Sequence, residues 1–204
     1  MKAKETIAII GATGKMGSSI AKDLSKDIYR LILMSKDVTK LSVLKDNLST
    51  PDTKALIDIH DCAREGSWEA DVIIMATPYE EEREIAEKIR DVATGKIVIS
   101  VSGRPYAWVT TPNSSRAEEL QELLPYSKIV KVFNTSFCSG FHAPAVAGGK
   151  PDAFIAANNG QALEAVSRIV TSAGMNPVVV GDLSVSGALE RIQCRTLDLN
   201  QVPS

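Results

Sequence analysis

The residues best suited to chemistry follow the first apolar run of the chain, residues 7–10. Three glycines, Gly11, Gly14 and Gly17, stand there at every third position. Glycine permits a tight turn and lets a ligand approach the backbone, while a helix that begins directly afterwards presents free amide hydrogens to an anion. The spacing predicts a binding site for the pyrophosphate of a dinucleotide, and an ordinary strand-to-helix turn is the alternative interpretation. The predicted cofactor-binding residues of this turn are Gly11, Gly14, Lys15, Met16 and Gly17.

A second group of polar residues follows the second apolar run. Ser35 and Lys36 stand where NAD-specific proteins carry an acidic residue that binds the adenine ribose hydroxyls. A hydroxyl followed by an ammonium would instead bind a ribose phosphate, and Lys40 and Thr13 could add a second charge and a second hydroxyl. These residues predict NADP as the cofactor. The alternative interpretation is that the two lysines form a solvated pair in a surface loop. The neighbouring Asp37 also leaves NAD possible as the cofactor.

Two further polar pairs stand at the ends of later apolar runs. Thr77 and Pro78 end the fourth run, and Asn134 and Thr135 end the sixth. Ligands bind at the carboxyl ends of parallel strands, so the first pair is predicted to lie beside the nicotinamide and the second to border a ligand at the same edge. Each pair also has a plainer interpretation, since a proline can simply end a strand and short polar residues can simply bond within a loop.

Other candidate groups suggest less chemistry. Cys138 and His142 lie four residues apart, as a thiolate and its base could, but no third group is in place to orient them. The histidines His60 and His142 have no ligand set at metal-site spacing, so no metal is predicted. The carboxylates at 80–82 are predicted to form a solvated helix start that favours the helix dipole.

Composition limits the classes of function. The chain has 204 residues, of which 44% are hydrophobic, and this is enough to bury the core of one domain or of one domain plus a small extension. Its net charge is -2. The 23 basic residues are spread among 25 acidic ones, so no nucleic-acid partner is predicted. The apolar runs are too short to span a membrane, and three widely separated cysteines fit a reducing compartment. A cytoplasmic protein is predicted.

Predicted strands and helices alternate along the chain and would position these residues. This alternation predicts an α/β fold with a Rossmann-type doubly wound parallel sheet. Asp61 is predicted to cap the third helix, Trp68 to close that helix onto the sheet, and Ser114 to cap the fifth helix. The predicted strands are 7–10, 31–34, 55–59, 71–76, 96–101 and 128–133, and the predicted helices are 15–26, 38–48, 61–69, 80–92 and 114–124.

The last third of the chain predicts an extension of two strands and helices. Strands at 152–157 and 176–180 enclose a helix at 162–172, and a final helix covers 184–199. We therefore expect an NADP-binding Rossmann domain at 1–133. Residues 134–204 are expected to pack on the same sheet and to border the acceptor site.

Four segments of the chain together resemble a known family. They are residues 11–17, 35–36, 77–78 and 130–135. They are similar to the NADP oxidoreductases that depend on the deazaflavin coenzyme F420, and also to the cytosolic domain of the six-transmembrane epithelial antigen of prostate metalloreductases. The likeness covers nearly the whole chain. It implies that Thr13, Ser35, Lys36 and Lys40 hold the ribose phosphate, that Thr77 and Pro78 flank the nicotinamide half, and that the loop from Asn134 borders the second substrate.

The resemblance implies an NADP(H)-dependent oxidoreductase that transfers hydride between NADPH and a flavin or deazaflavin, a small-molecule acceptor. Such a transfer needs no protein nucleophile and depends mainly on positioning. Two alternatives stay open, namely an imine reductase related to the pyrroline-5-carboxylate reductases and a non-catalytic NADP(H)-binding sensor. A homodimer is also compatible with the sequence.

Overall fold

The apolar runs form eight strands that join one sheet. The computed structural model describes residues 5–101, 115–134 and 150–191, so Thr135, Cys138 and His142 lie outside the described residues. The strands are β1 (Thr6–Ile10), β2 (Arg30–Met34), β3 (Leu56–His60), β4 (Val72–Met75), β5 (Ile97–Ser100), β6 (Lys128–Asn134), β7 (Asp152–Ala157) and β8 (Asn176–Gly181).

Helices cover both faces of this sheet. They are α1 (Lys15–Leu24), α2 (Val38–Leu48), α3 (Ala63–Glu69), α4 (Tyr79–Ile89), α5 (Arg116–Leu123) and α6 (Gly160–Ser172). A short 3-10 turn at Leu183–Val185 leads into a further helix, α7, of which residues 186–191 are described. Most of the predicted bounds lie within two residues of these.

The strand order confirms the predicted Rossmann-type α/β fold. It is β3-β2-β1-β4-β5-β6-β7-β8, and the first six strands of this row are parallel. β1 lies where the order reverses, because the chain moves to one side through β2 and β3 and then to the other through β4. In such sheets the ligand crevice lies outside the carboxyl ends of the strands at this reversal.

The sheet continues beyond β6 with a change of direction. β7 runs antiparallel to β6, with Asn134 opposite Ala153, and β8 runs parallel to β7. β7 therefore begins at the edge where β6 ends. β8 is the last strand of the row, and its first residue, Asn176, donates its amide hydrogen to the carbonyl oxygen of Pro151 at 2.8 Å.

Two apolar cores hold the helices on the sheet. α1, α2 and α6 pack on one face through residues such as Ile20, Leu41 and Val166, and α3, α4 and α5 pack on the other through residues such as Ile85 and Leu120. The inner parallel strands β1, β2 and β4 are buried on both faces and are largely continuous apolar runs, whereas the edge strand β3 is partly exposed.

The predictions for α3 were wrong in two details. Its N-cap is Cys62 rather than Asp61, and no side chain caps it. Trp68 does not close the helix onto the sheet, since 69% of its surface is exposed. Gly66 faces the sheet instead, where a methyl group would collide with the sulfur of Met34. Only a residue without a side chain allows this close approach.

The predicted cap of α5 was wrong by one residue. Ser115, not Ser114, is the N-cap, and its hydroxyl accepts a hydrogen bond from the Glu118 amide at 3.1 Å. The Glu118 carboxylate accepts from the Ser115 amide at 2.7 Å in return. This reciprocal pair is a capping box, and it fixes the start of α5.

Candidate functional site

The glycine turn joins β1 to α1, as the sequence predicted, and it lies at the reversal of the strand order. Gly11 has φ +82°, and the amides of Gly11 and Ala12 donate to the carbonyl oxygen of Met34 at 2.9 and 3.0 Å. A side chain at Gly11 would lie 2.5 Å from the carbonyl oxygen of Ala76. The turn therefore requires glycine for both its dihedral angle and its contact with the end of β4.

The start of α1 is open to an anion. Its N-cap is Gly14, which has no side chain to cap it, and its first turn carries no acidic residue. Gly14 is exposed, and a Cβ there would meet only the Gly11 carbonyl oxygen, at 3.2 Å. The first amides of a helix, here those of Lys15 and Met16, have no partner within the helix. The site therefore fits a pyrophosphate, which needs backbone donors and room.

Gly17 has a different function from Gly14. It is buried, and a Cβ there would collide with the carbonyl oxygen of Gly11 and lie 2.9 Å from the Cα of Ala12. Gly17 thus lets the first turn of α1 pack against the chain that leaves β1. Among the three glycines, two maintain the backbone and Gly14 leaves space for a ligand.

Two of the residues predicted to hold a ribose phosphate lie side by side. The hydroxyl oxygens of Thr13 and Ser35 are 2.7 Å apart, within hydrogen-bond distance. The Ser35 hydroxyl also accepts from the amide of Asp37 at 3.3 Å. The glycine turn and the end of β2 are therefore joined at the place where the adenine ribose would bind.

The two predicted lysines are each paired with a carboxylate. The Lys36 ammonium lies 3.0 Å from Glu81, and the Lys40 ammonium lies 3.2 Å from Asp37. Asp37 is also the N-cap of α2, where it accepts from the Lys40 amide at 3.0 Å. These bonds from Lys40 lower the pKa of Asp37, whereas the hydrogen bond to Glu81 raises the pKa of Lys36.

Thr77 and Pro78 line the end of β4 in different ways. Thr77 is buried, its methyl group faces Gly11, and its hydroxyl has no hydrogen-bond partner among the residues that the structure describes. Pro78 is exposed and is the N-cap of α4. Thr77 is therefore part of the wall beneath the crevice, and Pro78 is the member of the pair that is open to a ligand.

A buried ionic cluster lies behind this wall, and sequence reasoning missed it. Glu82 was predicted to be solvated at the start of α4, but it is buried and its carboxylate accepts from the Nε of Arg116. The backbone amide of Arg116 donates to both carboxylate oxygens of Glu190, each at 3.0 Å. The Lys131 ammonium lies 3.5 Å from Glu190. Burial lowers the pKa of Arg116 to about 10, opposed by the nearby Glu190.

Asn134 is placed at the carboxyl end of β6, as predicted, but its side chain is buried. Only 3% of its surface is exposed, and its amide nitrogen donates to the sulfur of Met175. A contact between Asn134 and the reacting rings stays a prediction. Thr135, its proposed partner, falls outside the part of the chain that the structure describes.

The described residues contain neither a metal-binding cluster nor a membrane-spanning helix. Within residues 5–101, 115–134 and 150–191, no three histidine, cysteine, aspartate or glutamate side chains gather as a metal ion would require. No helix in these same ranges has the length and apolar character needed to cross a bilayer.

The amino-acid sequence is similar to those of known proteins. Residues 6–104 match the family described as NADP oxidoreductase, coenzyme F420-dependent. The F420-dependent NADP reductase of Methanocaldococcus jannaschii is 28% identical to the chain over 214 aligned positions, which cover 95% of this chain and 92% of that protein.

Solved structures share the fold. A candidate F420-dependent NADP reductase from Arthrobacter sp. FB24 has a TM-score of 0.75 and 20% identity, with 95% of this chain and 92% of that chain covered. A pyrroline-5-carboxylate reductase from Coxiella burnetii has a TM-score of 0.65 and 16% identity, with 90% and 61% covered. Over residues 6–104, the chain is similar to the coenzyme F420-dependent NADP oxidoreductase family.

Proposed function

We propose that this protein is an NADP(H)-dependent oxidoreductase that transfers hydride between NADPH and a deazaflavin or flavin. The observation that carries the proposal is the open start of α1 at Gly14, which is exposed and uncapped and carries no carboxylate in its first turn. A pyrophosphate can accept hydrogen bonds from that turn without displacing any side chain.

The end of β2 supports NADP over NAD. The paired hydroxyls of Thr13 and Ser35 offer donors to a phosphate, and Lys36 and Lys40 stand nearby with positive charge. Asp37 is the residue that could have accepted the ribose hydroxyls of NAD. Its carboxylate is already bonded to the amide and the ammonium of Lys40, so it is poorly placed to do so.

The residues of the chain act by binding and orienting. When bound, NADPH supplies a hydride from carbon four of its nicotinamide ring. We propose that Pro78 contacts the nicotinamide half, that Thr77 supports it from beneath, and that Asn134 and Thr135 position the acceptor, with residues 134–204 bordering that site. The antiparallel pairing of β6 and β7 favours this placement, because β7 begins at the edge where β6 ends. Correct placement of two rings supplies most of the rate in such a transfer.

The experiment that tests this function is an assay of NADPH oxidation with different acceptors. Coenzyme F420, FMN, a ferric chelate and pyrroline-5-carboxylate would each be supplied in turn at equal concentration. We expect turnover with the deazaflavin or FMN, and more with NADPH than with NADH. Turnover with pyrroline-5-carboxylate alone would identify an imine reductase. NADPH binding without turnover by any acceptor would indicate a sensor.

We also propose that the protein acts in the cytoplasm as a homodimer, without a nucleic-acid partner. The balanced surface charge and the scattered cysteines support the compartment and the absence of nucleic acid. Light scattering after size-exclusion chromatography measures the mass of the assembly. A monomer at micromolar concentration would contradict the dimer.

A further inference from the structure

Arg116, the first residue of α5, holds two other segments with one side chain. It is 2% exposed, and its Nη2 donates to the backbone carbonyl oxygen of Thr77 at 2.8 Å. Its Nε donates to the Glu82 carboxylate in α4, and its guanidinium carbon lies 5.6 Å from the centre of the Tyr79 ring. The side chain thus connects the end of β4 to the first turns of α4.

The backbone of the same residue connects to the last described helix. The amide of Arg116 donates to both carboxylate oxygens of Glu190 in α7, and Glu190 also faces the buried ammonium of Lys131 on β6. A carboxylate distant in sequence therefore binds the amide hydrogen at the start of α5. Among the described residues, the cluster joins two cations, Arg116 and Lys131, with two carboxylates, Glu82 and Glu190.

Stability alone is a weak reason for such a cluster. Removing charges from water is costly, and apolar residues of similar volume often replace a buried ion pair without loss of stability. An apolar side chain cannot reproduce the directed hydrogen bonds of a guanidinium group. The planar guanidinium has donors at fixed angles, so Arg116 sets the position of the Thr77 carbonyl relative to Glu82. A lysine has one flexible charge and cannot fix both contacts in this way.

We infer that Arg116 is a positioning residue for hydride transfer. By holding the Thr77 carbonyl, it fixes the Thr77–Pro78 turn that borders the nicotinamide, and through Glu190 it ties this turn to α7. The inference rests on the proposed function, since it assumes that the nicotinamide lies at the end of β4. It predicts that Arg116 acts on the geometry of the reaction while the adenosine end of the nucleotide binds normally.

The test compares Arg116→Lys with a control, Arg90→Gln, which alters an exposed arginine just after α4. The measurements are kcat, the Kd of NADPH, the Kd of 2′,5′-ADP, which lacks the nicotinamide, and Tm. We expect Arg116→Lys to lower kcat by about tenfold or more, because a misplacement of about 1 Å can cost that much. Both dissociation constants should stay within about threefold of wild type, and the control should match wild type throughout.

A second variant separates geometry from charge balance. Arg116→Met with Glu82→Met removes both members of the buried pair and leaves Lys131 facing Glu190. We expect this variant to fold with a Tm near that of wild type and to keep the low kcat of Arg116→Lys. Recovery of kcat in the double variant would overturn the inference, because charge balance alone would then be sufficient. This variant also provides the test if Arg116→Lys does not fold.

The outcomes distinguish this inference from the proposed function. Wild-type protein that binds neither NADPH nor 2′,5′-ADP would contradict the proposed function itself. Wild-type protein that turns over, together with an Arg116→Lys variant of unchanged kcat, would overturn only the positioning role. A parallel loss of Tm and of affinity for 2′,5′-ADP would show a purely structural role and would also overturn it.

Discussion

The ammonium of Lys36 lies 3.0 Å from a carboxylate oxygen of Glu81. Lys36 follows β2 and Glu81 lies in the first turn of α4, after β4, while β1 stands between these two strands. The ion pair therefore passes over the carboxyl end of β1, where we place the adenosine end of NADP(H). A ribose phosphate and Glu81 would compete for one ammonium.

This competition predicts the effect of Glu81→Gln. Removing the carboxylate should tighten NADPH binding by up to about fivefold, because the exposed ion pair that the phosphate must displace is weak. NADH affinity should not change, since NADH has no ribose phosphate for Lys36 to meet. Titration of both nucleotides at fixed ionic strength would measure this. Glu87→Gln, which removes the same charge farther along α4, is the control. An equal effect in that variant would show that the negative charge of α4 acts at long range and not through the ion pair of Lys36 with Glu81.

Cofactor preference should invert when the end of β2 is rebuilt. Ser35→Asp with Lys36→Ala introduces the carboxylate typical of NAD sites and removes an ammonium. Because a charge-assisted hydrogen bond to the ribose phosphate is lost, we expect about tenfold or more loss of NADPH affinity with little loss for NADH. Dissociation constants of both nucleotides decide the matter, with Lys22→Ala as a control for loss of an exposed lysine. Equal affinity of the wild type for NADH and NADPH would show that the phosphate site is misplaced.

The glycines of the turn should respond differently to substitution. Gly14 has φ -73° and ψ 164°, extended angles that valine accepts, so Gly14→Val should fold normally and lose NADPH binding. Gly17→Val should fail to fold stably, because its side chain would collide with the Gly11 carbonyl. Circular dichroism melting and NADPH titration measure these effects. A Gly14→Val variant with wild-type affinity would contradict the pyrophosphate site.

Asn134→Ala should slow hydride transfer more than it weakens nucleotide binding, if Asn134 helps to position the acceptor. Because the Asn134 amide also donates to the Met175 sulfur, Met175→Leu is the matched control. We expect Asn134→Ala to reduce kcat while the Kd of NADPH stays near wild type. The same reduction in Met175→Leu would show that Asn134 acts only by packing. Unchanged turnover in Asn134→Ala with every acceptor would remove it from the site.

Much of the fold could be predicted from the sequence, because its signals are local. Buried parallel strands are continuous apolar runs, and the spacing of Gly11, Gly14 and Gly17 identifies the turn after β1. The cap of α5 was also available, since Ser115 and Glu118 have the spacing of a capping box. The family resemblance drawn from the turn and the later strand ends agrees with the match over residues 6–104.

The ionic cluster could not be predicted, because its partners are distant in sequence. Arg116 meets Glu82 across 34 positions and Glu190 across 74 positions, and no local pattern encodes such pairs. The sequence did contain one signal that Glu82 is buried. Glu82 lies three residues before Ile85 and seven before Ile89, which places it on the buried face of α4. A carboxylate on that face must find a buried cation.

The last strand of the sheet has a consequence for how copies of the protein meet. Asn176 turns its amide inward to Pro151, so the next residue, Pro177, turns its backbone outward, as alternate residues of a parallel strand do. Proline has no amide hydrogen, and the outer edge of β8 therefore lacks a donor there. Two exposed valines, Val179 and Val180, would otherwise make this edge a template for strand addition from another chain. In the sheet that the described residues form, Pro177 thus makes the outer edge of β8 a poorer template for strand addition.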